Sequence, residues 1–587
     1  MSTRLLLGIF LSLSCMLYSF SAYAVKLQIL HTNDLHGYLE STVINKEKGG
    51  YHNIKKIFVD QTSLAKEKNI QTLRFDGGDF SEGSIFYLTE KGRRNFELMN
   101  LLNYDAVVLG NHDWLMGTKE LNQILDDVPP QYSLLAANLR PKSLIFPALS
   151  KTVDKYKIFT VGNIKIAVIG LITDEKFYEW KFDKCKIKDP IKTAKKLAKK
   201  LKKKEGVDFV FVLSHIGVLN DKKVIEANSH IDLVVGGHSH TELHKPFYVK
   251  DKTGALRPIV QTGEHGNFVG KLILDLEKNR PLKIQDYQLI PVINNNKTDQ
   301  VATTPAEAAA VDIKQYVAET RELLHARYSK EWLSEVIGKT EVPLVNSFGQ
   351  ITVWTALVTD SLRECTNADF SANSPGFGGS NLPPGNITRE DIFQTYPRIF
   401  NLNDKYGWHL YEVEIRGFWL KTIIKLILSR QMPVAFSGVT FDIVNKNNEI
   451  LPVQYGDIVD GGHDTNSNFI MKFLGINTEF KIRNIQIKGE KIKWNRKYKM
   501  ALPEGIILGG VGITKLVKVI LKNISKTNHS VWSCINKKVS KEKVITSKYR
   551  RSNNKDLAIA MKFINTGIHP EKKIYNREEL HSAIRGK

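Results

Sequence analysis

Five short stretches of this 587-residue chain carry side chains able to hold divalent cations. They read "HTNDLHG" (31–37), "DGGDFSEG" (76–83), "GNHDW" (110–114), "SHIG" (214–217) and "GGHSHTE" (236–242). Together they offer Asp34, His36, Asp79, Asn111, His215, His238 and His240. A mixed set of carboxylates, one amide carbonyl and imidazoles suits Mn, Zn, Co or Fe, which an all-thiolate or all-oxygen set would not. Glycines beside the ligands permit the tight turns that would bring them together. Taken singly each fragment is weak, because a His behind a strand is most often a hydrogen-bonded structural residue. The ordered set of five carries the reading.

Positioning such a set requires rigid elements behind it. Each stretch follows a short apolar run: "VKLQIL", "IQTLRF", "DAVVL", "VDFVFVL" and "IDLVV". Helical patterns such as "TAKKLAKKLKKK" (193–204) lie between them. Alternating strands and helices predict an α/β layered domain whose loops gather at one end. In such sheets the crevice beyond the strand ends is where ligands bind.

The order and spacing of these motifs resemble the calcineurin-like metallophosphoesterases. Within them they are similar to the secreted 5′-nucleotidase, UDP-sugar hydrolase and 2′,3′-cyclic nucleotide phosphodiesterase family. The resemblance is strong over residues 26–290 and looser over 330–525. It implies an α/β, four-layer sandwich with two central β-sheets flanked by helices, followed by a smaller α/β specificity domain. It also implies two divalent metal ions and hydrolysis of a phosphate ester. Carried over residue by residue, Asp34, His36, Asp79 and His240 would hold one ion, and Asp79, Asn111, His215 and His238 the other, with Asp79 bridging. A hydroxide held between two such ions is a nucleophile near neutrality. Asn111 would touch its metal and a phosphoryl oxygen, and His112 would face the phosphoryl group and assist the leaving oxygen.

One position departs from the family. The family usually has an Asp three residues after the catalytic His, where it orients the imidazole; here that place is Leu115. A catalytic imidazole normally depends on such a partner for its tautomer. Glu82 stands where related phosphoprotein phosphatases have an orienting Asp, and the expectation is that it replaces the missing partner. Asp113 is expected to cap the turn or to bond its backbone.

The second half holds "ADFSANSPGFGGSNLPPGNITREDIFQTYP" (368–397) and "YKMALPEGIILGGVG" (498–512), both similar to the family's C-terminal domain. There the family binds phosphate with an Asn followed by an Arg, and sandwiches the base between two rings. Asn373 matches the Asn and Phe400 the first ring. The Arg falls on Gly378 or Gly379, the second ring on Gly505, and an expected Asp on Val511. An aromatic face contributes roughly 1–3 kcal/mol per base and an Arg fork binds anions bidentately, so an ordinary nucleotide would be held weakly. Phe377, Trp408 and Phe436 are further ring contacts to consider, though such residues are usually core. "SPGF" with "LPPGNITREDI" also resembles the thiosulfohydrolases of sulfur oxidation, which depart from Gly-Asn-His at the catalytic turn. That enzyme and a non-catalytic envelope-binding protein are the alternatives.

Length and composition set the frame. The chain is too long for one core, and 42% hydrophobic with 25% charged residues is globular. Arg4, the apolar run "LLLGIFLSLSCMLYSF" and "SAYA" predict a signal peptide cut after Ala24, hence a secreted or periplasmic protein. Cys185, Cys365 and Cys534 then remain, enough for one disulfide and without metal-site spacing. The predicted divisions are 1–24 signal peptide, 25–295 catalytic domain, 296–330 linker helix starting near Thr304 or Pro305, 331–525 substrate domain and 526–587 basic extension. The net charge is +23, and residues 515–587 hold 18 Lys/Arg against 5 Asp/Glu. Such charge reads first as a solvated helix face and a basic tail, and second as contact with an anionic envelope, while the lack of interleaved aromatics argues against specific nucleic-acid recognition.

Overall fold

The computed structural model describes residues 24–41, 48–175, 181–294, 304–346, 352–398, 407–428, 434–444, 481–510 and 522–549. The predicted signal peptide before Ala24, Phe400, Val511 and the tail beyond 549 lie outside the described residues.

The apolar runs form the strands expected of them. In chain order these are Val25–Thr32 (β1), Gln71–Asp76 (β2), Ala106–Val108 (β3), Ser133–Leu135 (β4), Val153–Asp154 (β5), Tyr156–Val161 (β6), Ile164–Ile172 (β7), Phe209–His215 (β8), Leu233–Val235 (β9), Phe247–Lys250 (β10), Leu256–Val260 (β11), Phe268–Leu276 (β12) and Lys283–Pro291 (β13). One seven-stranded sheet has the order β13-β12-β1-β2-β3-β4-β5, and a six-stranded sheet has β10-β11-β9-β8-β7-β6. The central strands of both are parallel, with antiparallel strands only at the edges.

Parallel strands covered on both faces must be apolar on both, and β8 is buried along its whole length. Its alternation divides two cores: Phe209, Phe211 and Leu213 face the space between the sheets, whereas Val210 and Val212 pack under a helix that supplies Ala194 and Ala198. That helix, Pro190–Lys200, covers the second sheet, and Tyr51–Glu67 (α1) covers the first. Helix Pro190–Lys200 is α2 below. The result is the helix-sheet-sheet-helix layering expected from the sequence.

The linker helix Pro305–Arg327 (α3) begins with a capping box between Thr304 and Glu307 and Pro305 in its first turn, as the sequence predicts. It is docked rather than free. It packs along α1, and Arg321 joins Glu40 of the first domain at 2.6 Å to Glu390 of the second at 2.8 Å.

The second domain centres on a five-stranded sheet made by Phe370–Asn373 (β14), His409–Arg416 (β15), Ala435–Ser437 (β16), Lys497–Pro503 (β17) and Lys522–Ser530 (β18). Helix Val353–Thr366 (α4) packs on β14 and on Val531–Glu542 (α5), and a disulfide joins Cys365 of α4 to Cys534 of α5. Residues 526–545, predicted as part of a basic extension, therefore lie within this fold. The lysine count hid a helical apolar stripe: Val531, Trp532, Ile535 and Val539 are buried at its spacing.

His31 is fully buried in β1, with neither ring nitrogen hydrogen-bonded among the described residues; it stacks on Tyr287 opposite Gly270, and burial pushes its pKa down to about 3. The native ring stays neutral while the unfolded chain takes up a proton below pH 6.5, so stability falls as pH drops from there towards 3. At pH 5 that loss is about 2 kcal/mol. Replacing His31 by Phe should remove it: the fall in Tm between pH 7 and pH 5 is expected to be smaller in the variant, and identical falls would show that the ring is not the titrating group.

Candidate metal centre

The first four ligand-bearing segments leave the C-terminal ends of β1, β2, β3 and β8, and the fifth leaves β9. Their loops interleave so closely that a Cβ on Gly110 would collide with the Asp79 carboxylate. Asp113 ties two of them together. It is buried, and its Oδ2 accepts from the N–H of Gly110 at 2.7 Å and of Asp79 at 3.0 Å, while Oδ1 accepts from Ser81 at 3.0 Å. Burial and the neighbouring Asp79 charge push its pKa up to about 7. The backbone role predicted for Asp113 is thus the one it has.

Two groups of donor atoms converge. One atom each from Asp34, His36 and His240 lie within 4.8 Å of one another, as do atoms from Asp79, His215 and His238. A third such group, His36, Asp79 and His112, connects them. The Asp79 Oδ2 lies 3.0 Å from His215 Nε2 and 3.9 Å from His36 Nε2. Asn111 Oδ1 is 3.2 Å from His215 Nε2, and Asp34 Oδ1 is 3.2 Å from His240 Nε2. All seven residues expected as ligands are brought together.

The outer ring nitrogens decide what this cluster is for. His36 Nδ1 bonds the Glu82 carbonyl at 2.7 Å, His215 Nδ1 bonds the Gly77 carbonyl at 2.6 Å, and His240 Nδ1 meets the Glu264 carboxylate. A carbonyl accepts only from N–H, so it fixes a proton on Nδ1 and turns Nε2 inward, the usual orientation of metal-binding imidazoles. His36 Nε2 and His240 Nε2 face one another at 3.1 Å beside Asp34. Buried Asn111 Nδ2 has no hydrogen-bond partner among the described residues. Burial disfavours a charged His215, yet the Asp79 carboxylate against it, with Asp34 beyond, raises it to about 10. The carboxylates thus hold a proton where a cation would satisfy them better, and the donor set fits divalent metal.

Backbone conformation adds a signal no sequence motif carries. Asp34, His36, Asp79, His238 and His240 all have positive φ, between 49° and 75°. Non-glycine residues there cost roughly 1–2 kcal/mol each and concentrate at functional sites.

His112 follows β3 in a short 3-10 turn, His112–Trp114. Its N–H donates to Asp79 Oδ1 at 2.7 Å, its ring meets His36 edge-on at 4.7 Å, and its Nδ1 bonds the Glu82 carboxylate. Leu115 is buried in the core. Glu82 therefore stands where the sequence expected an orienting partner.

Arg398, missed by the sequence reading, comes from the second domain: its Nη1 donates to Glu82 Oε2 at 3.0 Å and lies 3.3 Å from His112 Nδ1. Its Nε and Nη2 donate to the carbonyls of Phe377 and Gly378 at 3.0 and 3.3 Å. The guanidinium thus rests on the very turn whose own Arg is missing, and that gap in the motif was the available clue. Glu264 and Glu175, 3.1 Å from His238 Nε2, were also missed; neither lies in a recognisable motif.

The second-domain residues are less open. Asn373 is buried and its Oδ1 accepts from Tyr396 at 2.9 Å. Phe377, Trp408 and Phe436 are buried as well. Trp408 meets Phe377 edge-on at 4.8 Å and occupies the space a side chain at Gly505 would need.

A calcineurin-like phosphoesterase family model matches residues 27–242, and a 5′-nucleotidase C-terminal domain model matches residues 336–518. By these two matches the chain carries a calcineurin-like phosphoesterase domain followed by a 5′-nucleotidase C-terminal domain. Such a fold works with divalent metal ions. A snake venom 5′-nucleotidase of Gloydius brevicauda is 30% identical over 350 residues, 56% of this chain and 56% of that protein. The 5′-nucleotidase of Rattus norvegicus is 29% identical over 280 residues, 44% of this chain and 47% of that one. The matches thus span about half the length of these curated relatives. Among solved structures, a 5′-nucleotidase precursor from Thermus thermophilus shares the fold with TM-score 0.69 at 20% identity, covering 89% of this chain and 97% of that one. A sulfate thiohydrolase from the same organism does so with TM-score 0.66 at 17% identity, covering 90% and 96%.

If the ligand backbone is strained as its φ values indicate, glycine should relieve it. In chelator-treated protein, His240→Gly is expected to be about 1 kcal/mol more stable than His240→Ala. Equal Tm values would mean that the loop carries no such cost.

Proposed function

We propose that the chain is a secreted, dinuclear-metal phosphohydrolase acting on a nucleotide or related phosphate ester. The observation that carries this reading is the set of inward-facing imidazoles and carboxylates beside a His112–Glu82 couple. Asp34, His36, Asp79 and His240 would hold one ion, and Asp79, Asn111, His215 and His238 the other. When bound, Mn, Zn, Co or Fe ions polarise phosphoryl oxygens and lower the pKa of water.

The remaining work belongs to the chain. Asn111 Nδ2, buried and unsatisfied, donates to a phosphoryl oxygen. His112, oriented through Nδ1 by the Glu82 carboxylate, faces the phosphoryl group and assists the leaving oxygen. Arg398 holds Glu82 from the second domain, so the couple is complete only when that domain is docked. Asn373 and Phe400 remain the proposed substrate contacts. Because Trp408 fills the space beside Gly505, a flat base-sandwich is not the feature to expect of this pocket.

The signal-like N-terminus and the Cys365–Cys534 disulfide support export to an oxidising compartment. Among the described residues no helix is long and apolar enough to cross a membrane. A thiosulfohydrolase role is supported by the "SPGF" and "LPPGNITREDI" stretches and opposed by Gly110-Asn111-His112.

The test is metal analysis of purified protein together with turnover of phosphomonoesters, cyclic nucleotides, UDP-sugars and a thiosulfonate. Two ions per chain and chelator-sensitive phosphate release are expected. His112→Ala should lower kcat about 10²–10⁴-fold with metal retained. Stoichiometric metal without hydrolysis of any phosphate ester would sink the reading. Arg398→Ala and Glu82→Gln should each lower kcat more than they raise KM, with Arg398→Lys partly restoring it; a rise in KM alone would place Arg398 on substrate binding instead.

A further inference from the structure

Away from the metal centre, positive charge is concentrated in a groove of about 830 Å3 along helix α2 and its continuation Leu201–Glu205. One side is formed by Lys192, Lys196, Lys199, Lys200, Lys203 and Lys204. Arg140, Lys155 and Lys188, from the edge of the second sheet and neighbouring segments, add to the lining with Tyr156, and Ala137, Thr193 and Leu197 lie among them. Asp189 is the sole lining carboxylate among the described residues, and it is engaged: it caps α2 through the Lys192 N–H at 2.9 Å and pairs with the Lys192 ammonium at 3.7 Å. Lys200 pairs with Glu205 at 3.3 Å. Lys155, Lys188, Lys196, Lys199, Lys203 and Lys204 have no carboxylate partner among the described residues.

Lysines four apart on a helix repel one another, so this column weakens the helix unless something anionic covers it. From Lys192 to Lys204 the column is about 18 Å long, with cations recurring each turn of about 5.4 Å. The ligand must therefore be long. Cations from separate segments face one concavity, a shape that suits a single strand better than a flat bilayer face or a duplex. Ammonium groups act as point charges rather than forks, and a single ring offers no stacking platform, so recognition is of charge and not of bases.

We propose that this groove binds the phosphate backbone of a single nucleic-acid strand without regard to sequence. Six unpaired lysines would release counterions from about six phosphates, giving a slope of log affinity against log salt of about −4.

The test is fluorescence anisotropy of the full-length mature protein with a labelled oligo(dT) 20-mer between 50 and 300 mM salt. The groove variant is Lys196→Glu/Lys199→Glu/Lys203→Glu, and the charge-matched control is Lys245→Glu/Lys250→Glu/Lys252→Glu on another surface. The groove variant should lose at least about tenfold in affinity at 50 mM salt, with a slope shallower by about 2, while the control stays within about twofold of wild type. Turnover at the metal centre should be unchanged in both. Should the triple variant fail to fold, single Lys196→Glu and Lys203→Glu proteins should each lower the slope by about 0.7. Equal losses in groove and control variants would reduce the effect to net charge and overturn the proposal. Binding to phosphatidylglycerol vesicles but not to the oligonucleotide would overturn it in favour of a membrane surface, and no binding at 50 mM salt would overturn it outright.

Discussion

Everything at the strand ends is organised around one buried carboxylate. Asp79 sits between two groups of imidazoles, accepts the backbone N–H of His112, and has its own N–H held by Asp113. A bare charge at that depth is costly, and neighbouring histidines hold its pKa well below the usual carboxylate range despite burial. The two sheets, their closely approaching loops and the Asp113 tie all keep this charge where ligands from several strands can share it. The fold is thus the frame, and the shared counter-charge is its reason.

That frame was largely legible beforehand. Strands such as "VDFVFVL" and "IDLVV" are too uniformly apolar to be anything but buried, and their polar endings pointed to one edge. The seven residues whose donor atoms converge were singled out by their types, their order and the family resemblance. Asp113 was also readable as a turn residue, since a carboxylate after a strand end has few other buried roles. Ring tautomers were beyond reach, because they depend on carbonyls such as Gly77 and Glu82 whose direction no motif encodes.

The second domain was harder to read for a physical reason. Its contributions depend on contacts between residues far apart in sequence: Arg398 reaches Glu82 across the domain boundary, and Trp408 fills the room left at Gly505. A missing residue was visible at Gly378 and Gly379, but its spatial substitute lay elsewhere in the chain. Likewise, positive charge in the last segment concealed a strand and a disulfide-linked helix, because lysines on the outer face contribute to composition without entering the core.

The left-handed backbone at Asp34, His36, Asp79, His238 and His240 has a consequence for how such a protein ages. At each of these positions folding alone would prefer Gly or Asn, so the chemistry is maintained against a steady conformational pull. A descendant that no longer needed its cations would gain robustness by yielding at these places first. Loss of the activity would then be written as small, flexible residues at five named turns, while the sheets behind them stayed intact.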